Sequence, residues 1–187
     1  MKFVRQFIED VVLIQPEVYG DTRGYFVETF RQDLFDQFIG QSTNFVQDNE
    51  SKSSKGVLRG LHYQLPPYAQ AKLVRVIEGR VLDVAVDIRR NSLTFGQYVA
   101  VELSDENKFQ LFIPHGFAHG FVVLSKQATF AYKVDNYYQP KYDRGIAFND
   151  PELAINWQLA EAELSLSNKD LTQPKLVDAY GDLFFGE

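Results

Sequence analysis

The chain has 187 residues, no cysteine and a formal net charge of −6. That length carries one sizeable core and leaves too little for a second, so a single domain over residues 1–187 is expected. The missing cysteines exclude disulfides, thiolate chemistry and cysteine-ligated zinc. The acidic balance argues against a general nucleic-acid or membrane partner, so any anionic ligand must be held by locally placed arginines and lysines.

In chain order, "MKFVRQFIEDVVLIQPEVYG" contains a four-residue apolar run cut off from Phe7 and Ile8 by Glu9 and Asp10. It reads as neither a signal peptide nor a membrane span, which implies a soluble, cytoplasmic protein. "RQDLFDQFIG" (31–40) spaces Leu34, Phe35 and Phe38 on one face and ends on glycine, the pattern of a short helix. "RVLDVAVDIRR" alternates strictly, with Leu82, Val84, Val86 and Ile88 on one face and Asp83 and Asp87 on the other. "KLVRVIEG", "QYVAVELS", "KFQLFIP", "GFVVLS" and "ATFAYKV" are short apolar strands separated by turn residues, and "SDENKFQ" is read as one helical turn. The tail after "NDPELAINWQ" is polar and is expected to wrap the body as loops and short helices. Many short strands, with 16 Phe and 10 Tyr, predict an all-β sandwich or barrel.

Chemistry concentrates in a few places. "GVLRGLHYQ" (56–64) sets Arg59 and His62 three residues apart in a strand. By parity His62 shares a face with Leu58, Gly60 and Gln64, and Arg59 points the other way unless a bulge at Gly60 intervenes. "FIPHGFAHGF" (112–121) opens with a Pro/Gly turn, after which His119 begins an apolar strand. Lys72 opens a strand otherwise apolar on its own face. Tyr132 shares a face with Phe130 and Val134. Asp170 in "SNKDLTQP" either orients a histidine or starts a turn. Each also has a plain structural reading, as a core histidine, a solvated strand-end lysine or a packed tyrosine. A three-histidine metal site from His62, His115 and His119 is a further alternative, although no acid follows His62 closely and Lys72 cannot ligate while protonated.

Seven ordered segments together resemble one family: "YGDTRGYFVETF", "FVQDNESKSSKGVLRGLHYQ", "AKLVRVIEGRVLDVAVDIRRNSLTFGQY", "IPHGFAHGFVVLS", "YKVDNYY", "FNDPELAINW" and "LSNKD". From about residue 10 to 175 the chain is similar to the dTDP-4-dehydrorhamnose 3,5-epimerases. The resemblance implies a cupin-type β-barrel, or jelly roll, of two antiparallel sheets with a few short helices. It implies His62 as catalytic base, Asp170 as the carboxylate that orients it, Tyr132 as proton donor on the opposite sugar face, and Lys72 beside the C4 carbonyl oxygen. Arg23, Glu28, Gln47, Asp48, Asn49, Arg59, His119, Asp143 and Lys169 match contacts to the sugar nucleotide. Tyr138 joins them as a substrate contact and, with Tyr137, is a reserve for the proton donor. His115 matches nothing in the pattern and is read as a rim residue. The resemblance further implies a homodimer whose N-terminal strands cross to the partner, a dTDP-sugar substrate, no metal and no organic cofactor.

The residue types suit that reaction. Epimerisation beside a ketone needs a base neutral near pH 7, and histidine has a reference pKa of about 6.5. Charge then moves onto the carbonyl oxygen, where a lysine stabilises it preferentially. Inversion needs an acid on the other face, and tyrosine stays protonated at rest with a reference pKa of about 10. The alternatives of the same fold are a 3-only or 5-only epimerase or a ketoisomerase. A non-catalytic sugar-nucleotide-binding module and a metal-dependent oxygenase are the alternatives from other classes.

Overall fold

The computed structural model describes residues 1–183 and Phe185. Thirteen strands and three short α-helices are assigned among them. The strands are β1 (Lys2–Arg5), β2 (Val12–Gln15), β3 (Val18–Asp21), β4 (Gly24–Val27), β5 (Gln47–Ser54), β6 (Leu58–Gln64), β7 (Lys72–Glu78), β8 (Arg80–Asp87), β9 (Tyr98–Ser104), β10 (Gln110–Ile113), β11 (Phe117–Val123), β12 (Gln127–Val134) and β13 (Asp143–Gly145). The helices are α1 (Gln32–Ile39), α2 (Asn168–Leu171) and α3 (Leu176–Ala179).

Two antiparallel sheets make the body. One runs β1-β2-β10-β7-β12-β5 and the other β13-β6-β11-β8-β9, while β3 and β4 form a separate ribbon. The inner faces of the two sheets share one apolar cluster, in which Val74, Val76, Leu111 and Phe130 meet Val81, Ala85, Phe117 and Phe121. This is the two-sheet barrel expected from the pattern of short strands.

Both outer faces are also covered. Helix α1 lays Phe35 on Val12, Ile14, Leu73 and Phe112 of the first sheet. It starts after an extended Arg31 and stops where Gly40, at φ 83°, donates its N–H back to the Asp36 carbonyl. Glycine takes that left-handed turn without a Cβ penalty. The tail covers the second sheet, where Phe148, Leu153, Trp157, Leu176 and Leu183 pack on Leu58, Leu61, Leu82 and Val122. Trp157 fastens it by donating its indole N–H to the Phe148 carbonyl at 2.9 Å.

Strand β8 alternates as expected and is buried on both faces: Leu82, Val84 and Val86 meet the tail, while Val81 and Ala85 line the interior beside Asp83 and Asp87, both at 0% exposure. Two expectations need correction. "SDENKFQ" forms a tight turn rather than a helical one, because the Asn107 side chain accepts from the Ser104 and Phe109 amides and closes it. Parity misplaces His62, because β6 carries one extra residue against β11. His119 pairs with His62 and Phe121 with Arg59, a step of two residues facing a step of three. The bulge turns Arg59 and His62 to the same inner face and sends Leu58, Leu61 and Tyr63 outward into the tail cluster. Gly60 makes it possible: its φ is 133°, and a Cβ there would lie 2.5 Å from the Gly120 Cα.

Among the described residues no helix is long and apolar enough to cross a membrane.

Candidate active site

A cavity of about 610 Å³ opens between the sheets. Its walls come from both of them and from the tail: Arg59 and His62 on β6, His119 and Phe121 on β11, Lys72 on β7, Phe130 and Tyr132 on β12, Asn49 to Ser51 on β5, and Ser167, Lys169 and Asp170 at α2. His62 and Tyr132 therefore sit in opposite sheets, on facing walls of one space.

The tail supplies the partner of His62. The Asp170 Oδ1 lies 2.5 Å from the His62 Nε2, across 108 residues of sequence. Ser167 caps the turn, its Oγ accepting from the Asp170 N–H at 3.2 Å and donating to Oδ2 at 2.8 Å. Burial pushes the Asp170 carboxyl up, but the hydrogen bonds from His62 and Ser167 outweigh it and hold the group below its ordinary value. A carboxylate locked in this way fixes one ring nitrogen of His62 as donor and leaves the other to act as a base.

Lys72 is buried, and its Nζ donates to the His62 carbonyl at 3.3 Å. Burial lowers its pKa to about 8, while Asp83 and Asp143 resist the shift. The His119 Nε2 lies 2.9 Å from the Asp83 Oδ2, and burial keeps this imidazole below its usual pKa despite the carboxylate. Burial raises the Tyr132 phenol, so it is a neutral acid near pH 7. The Arg59 Nε donates to the Ser53 Oγ at 3.1 Å, which aims the guanidinium along the wall.

The remaining expected contacts divide into two groups. Asn49 lines the cavity and accepts from the Gln47 Nε2 at 2.8 Å, while the Gln47 Oε1 accepts from the Tyr138 amide at 3.3 Å. Asp143 accepts from the Tyr138 hydroxyl at 2.9 Å and is hydrogen-bonded to the Lys169 ammonium. Asp48 is exposed and pairs with Lys133 at 3.0 Å instead. Arg23 and Glu28 do not line the cavity. Arg23 pairs with Asp21 on the solvent-facing β3–β4 ribbon, and Glu28 follows that ribbon, also exposed. His115 stays outside as well, exposed, with its Nε2 2.8 Å from the Asp135 Oδ2. The three histidines therefore do not converge, and the described residues contain no group of three or more metal-ligating side chains.

Asp83, Ser53 and Ser167 escaped the reading of the residues. Asp83 was assigned only to the second face of an alternating strand. Ser167 carried a signal that was there to use, a serine three residues before an acid at a helix start.

A family model described as dTDP-4-dehydrorhamnose 3,5-epimerase matches residues 5–178. The chain belongs to the dTDP-4-dehydrorhamnose 3,5-epimerase family. It is 54% identical over 179 residues to the dTDP-4-dehydrorhamnose 3,5-epimerase of Shigella flexneri, covering 96% of this chain and 98% of that protein. A crystal structure of a dTDP-4-dehydrorhamnose 3,5-epimerase from Elizabethkingia anophelis superposes with a TM-score of 0.92 at 52% identity, covering 95% and 97% of the two chains. A Legionella pneumophila 3,5-epimerase in complex with dTDP-4-keto-L-rhamnose gives 0.93 at 48% identity, covering 100% and 99%. The two-sheet barrel is thus the cupin-type architecture of this epimerase family.

Proposed function

We infer that this chain is a dTDP-4-dehydrorhamnose 3,5-epimerase, an isomerase that converts dTDP-4-keto-6-deoxy-D-glucose into dTDP-4-keto-L-rhamnose by inverting C3 and C5. The observation that carries the reading is the pair of proton-transfer groups on facing walls. His62 is backed by Asp170 on one sheet, Tyr132 stands on the other, and a buried lysine lies beside the histidine.

In each half of the reaction the unprotonated nitrogen of His62 takes the proton from the carbon next to the C4 ketone. The bonding pair moves onto the carbonyl oxygen, giving an enolate. Lys72 stabilises that oxygen, an interaction present in the transition state and nearly absent in the neutral ketone. Tyr132 delivers a proton to the opposite face of the same carbon, which completes inversion. The phenolate then regains a proton and the imidazolium loses one to solvent. Arg59 and Lys169 hold the diphosphate, where the planar guanidinium matches phosphate oxygens in a chain of net negative charge.

The working unit under this reading is a homodimer of single-domain chains, residues 1–187, in the cytoplasm. The β3–β4 ribbon supports it: Tyr19, Tyr25 and Phe26 are all more than half exposed in one chain and offer apolar surface to a second copy. Arg23 and Glu28, displaced from their own cavity, then reach the sugar nucleotide from the partner. Its product serves the synthesis of rhamnose-containing polysaccharide, O-antigen among them.

Solvent-deuterium incorporation into dTDP-4-keto-6-deoxyglucose, read by NMR, tests the function. Deuterium at both C3 and C5 with inverted product is expected. Exchange at one carbon alone would assign the narrower single-site epimerisation, and exchange at neither would overturn the reading.

A further inference from the structure

Asp83 sits on the inner face of β8 at 0% exposure, and its Oδ1 has no hydrogen-bond partner among the described residues. A buried carboxylate oxygen left alone is uncommon, and its cost must be offset by a charge nearby. The Oδ2 meets the His119 Nε2. Burial keeps that imidazole below its usual pKa, so the contact brings Oδ2 no counter-charge near pH 7.

Two other carboxylates near the cavity are already engaged. Asp170 is bonded to His62 and Ser167, and Asp143 to Lys169 and Tyr138. Of the cavity's cations, Lys169 pairs with Asp143 and the exposed Arg59 bonds only the Ser53 hydroxyl; the buried one is Lys72. It is buried, its one hydrogen bond is the 3.3 Å contact to a backbone carbonyl, and it forms no ion pair within 4.0 Å among the described residues. Lys72 shares the inner face of β7 with Val74 and Val76, and Asp83 shares that of β8 with Val81 and Ala85. These four apolar residues pack in one cluster between the sheets. A buried carboxylate with one unbonded oxygen and a buried lysine without an ion pair thus stand on the inner faces of the two sheets, across that cluster.

We propose that Asp83 is a positioning residue of the epimerisation that acts through Lys72: its carboxylate keeps Lys72 an ammonium in a cavity whose burial favours the neutral amine. The role rests on the epimerase reading, in which that charge holds the enolate. The ionisable groups around Lys72 are Arg59 and His62 on β6, Asp83 on β8, His119 on β11, Tyr132 on β12, Asp143 on β13, and Lys169 and Asp170 on α2. Of these, Asp83 and then Asp143 favour the ammonium, and Lys169 opposes it.

Asp83→Asn keeps the shape and removes the charge. The turnover rate against pH, measured for wild type, Asp83→Asn and Asp83→Glu, tests the role. The alkaline limb is expected about one pH unit lower in Asp83→Asn and back near its wild-type position in Asp83→Glu. A limb unmoved in Asp83→Asn overturns the proposal. A second measurement does not depend on turnover. With lysine 13C-labelled and the Lys72 signal assigned from Lys72→Arg, the Lys72 titration should fall in Asp83→Asn. By reciprocity, the Asp83 carboxyl should titrate higher in Lys72→Met. That second arm decides the matter if Asp83→Asn does not fold, and an unmoved carboxyl overturns the proposal. An active wild type with uncoupled titrations removes Asp83 alone. A wild type without epimerase activity removes the functional reading and this role with it.

Discussion

At the scale of single residues, His62 and Lys72 make opposite demands on the protein. His62 needs a fixed tautomer, which Asp170 provides through one 2.5 Å contact. His62→Ala should lower proton exchange at both carbons by roughly 10²–10⁴-fold, the usual share of a general base, while dTDP binding, measured by calorimetry, persists. Asp170→Asn should keep the fold and lose less. Lys72 needs charge in a place that disfavours it. Its pKa falls from 10.5 to about 8 on folding. Between those two pH values the unfolded chain binds more protons, so the lysine's contribution to stability rises with pH across that window. Below it, the buried ammonium costs roughly 3 kcal/mol, the size of the shift from 10.5 to about 8. Lys72→Met should therefore be more stable than wild type at pH 7, with the gap closing from about pH 8 to 10.5. Urea denaturation at pH 7 and pH 10 reads this directly, and a gap that stays constant would contradict the assignment. Under the proposed mechanism catalysis needs the ammonium, so activity should fall as pH rises through about 8, where the recovery of stability begins.

At the scale of elements, the β6 bulge does most to build the site. Without it, Arg59 and His62 would face opposite sides of the sheet. Gly60→Ala sets a Cβ 2.5 Å from the Gly120 Cα and 2.8 Å from the His119 carbonyl, at a φ that L-residues avoid. Backbone atoms cannot swing aside as a side-chain tip can. The variant should lose about 1–3 kcal/mol from crowding alone and more than tenfold in activity, measured by thermal melting and initial rates. Legibility also differed from strand to strand. The apolar strands and α1 were readable from hydropathy because ordinary cores flank them. Strand β5 was not, since Gln47, Asn49, Ser51 and Ser53 form its less exposed side and its other side is charged and exposed. An edge strand that lines a polar cavity has no apolar alternation to show. In β8 the alternation was read correctly, and the structure adds that the aspartate face lies inside the barrel. The His62–Asp170 couple was readable only through family resemblance, because no local pattern joins residues so far apart in sequence. The bulge at Gly60 could be posed from the glycine, but its direction came only with the register.

At the scale of the whole molecule, the tail completes the cavity, and the N-terminal ribbon has a part only in the proposed dimer. The tail closes the second sheet and carries Asp170 to His62. The ribbon leaves Tyr19 57%, Tyr25 60% and Phe26 68% exposed, the surface that the proposed second copy would cover. Light scattering should give twice the chain mass of 21.5 kDa, and Arg23→Ala should raise KM far more than it lowers kcat. A monomer with full activity would remove the ribbon from the site. The central claim is that base and acid act from opposite sheets, and Tyr132→Phe tests it most directly because the change removes one hydroxyl and keeps the ring. Its reaction in deuterated solvent, followed by NMR for both exchange and configuration, separates the two steps. The account predicts that deuterium still enters the substrate through His62 while little inverted product forms. Inverted product at the wild-type rate would contradict it and move the search for the acid to Tyr137 and Tyr138.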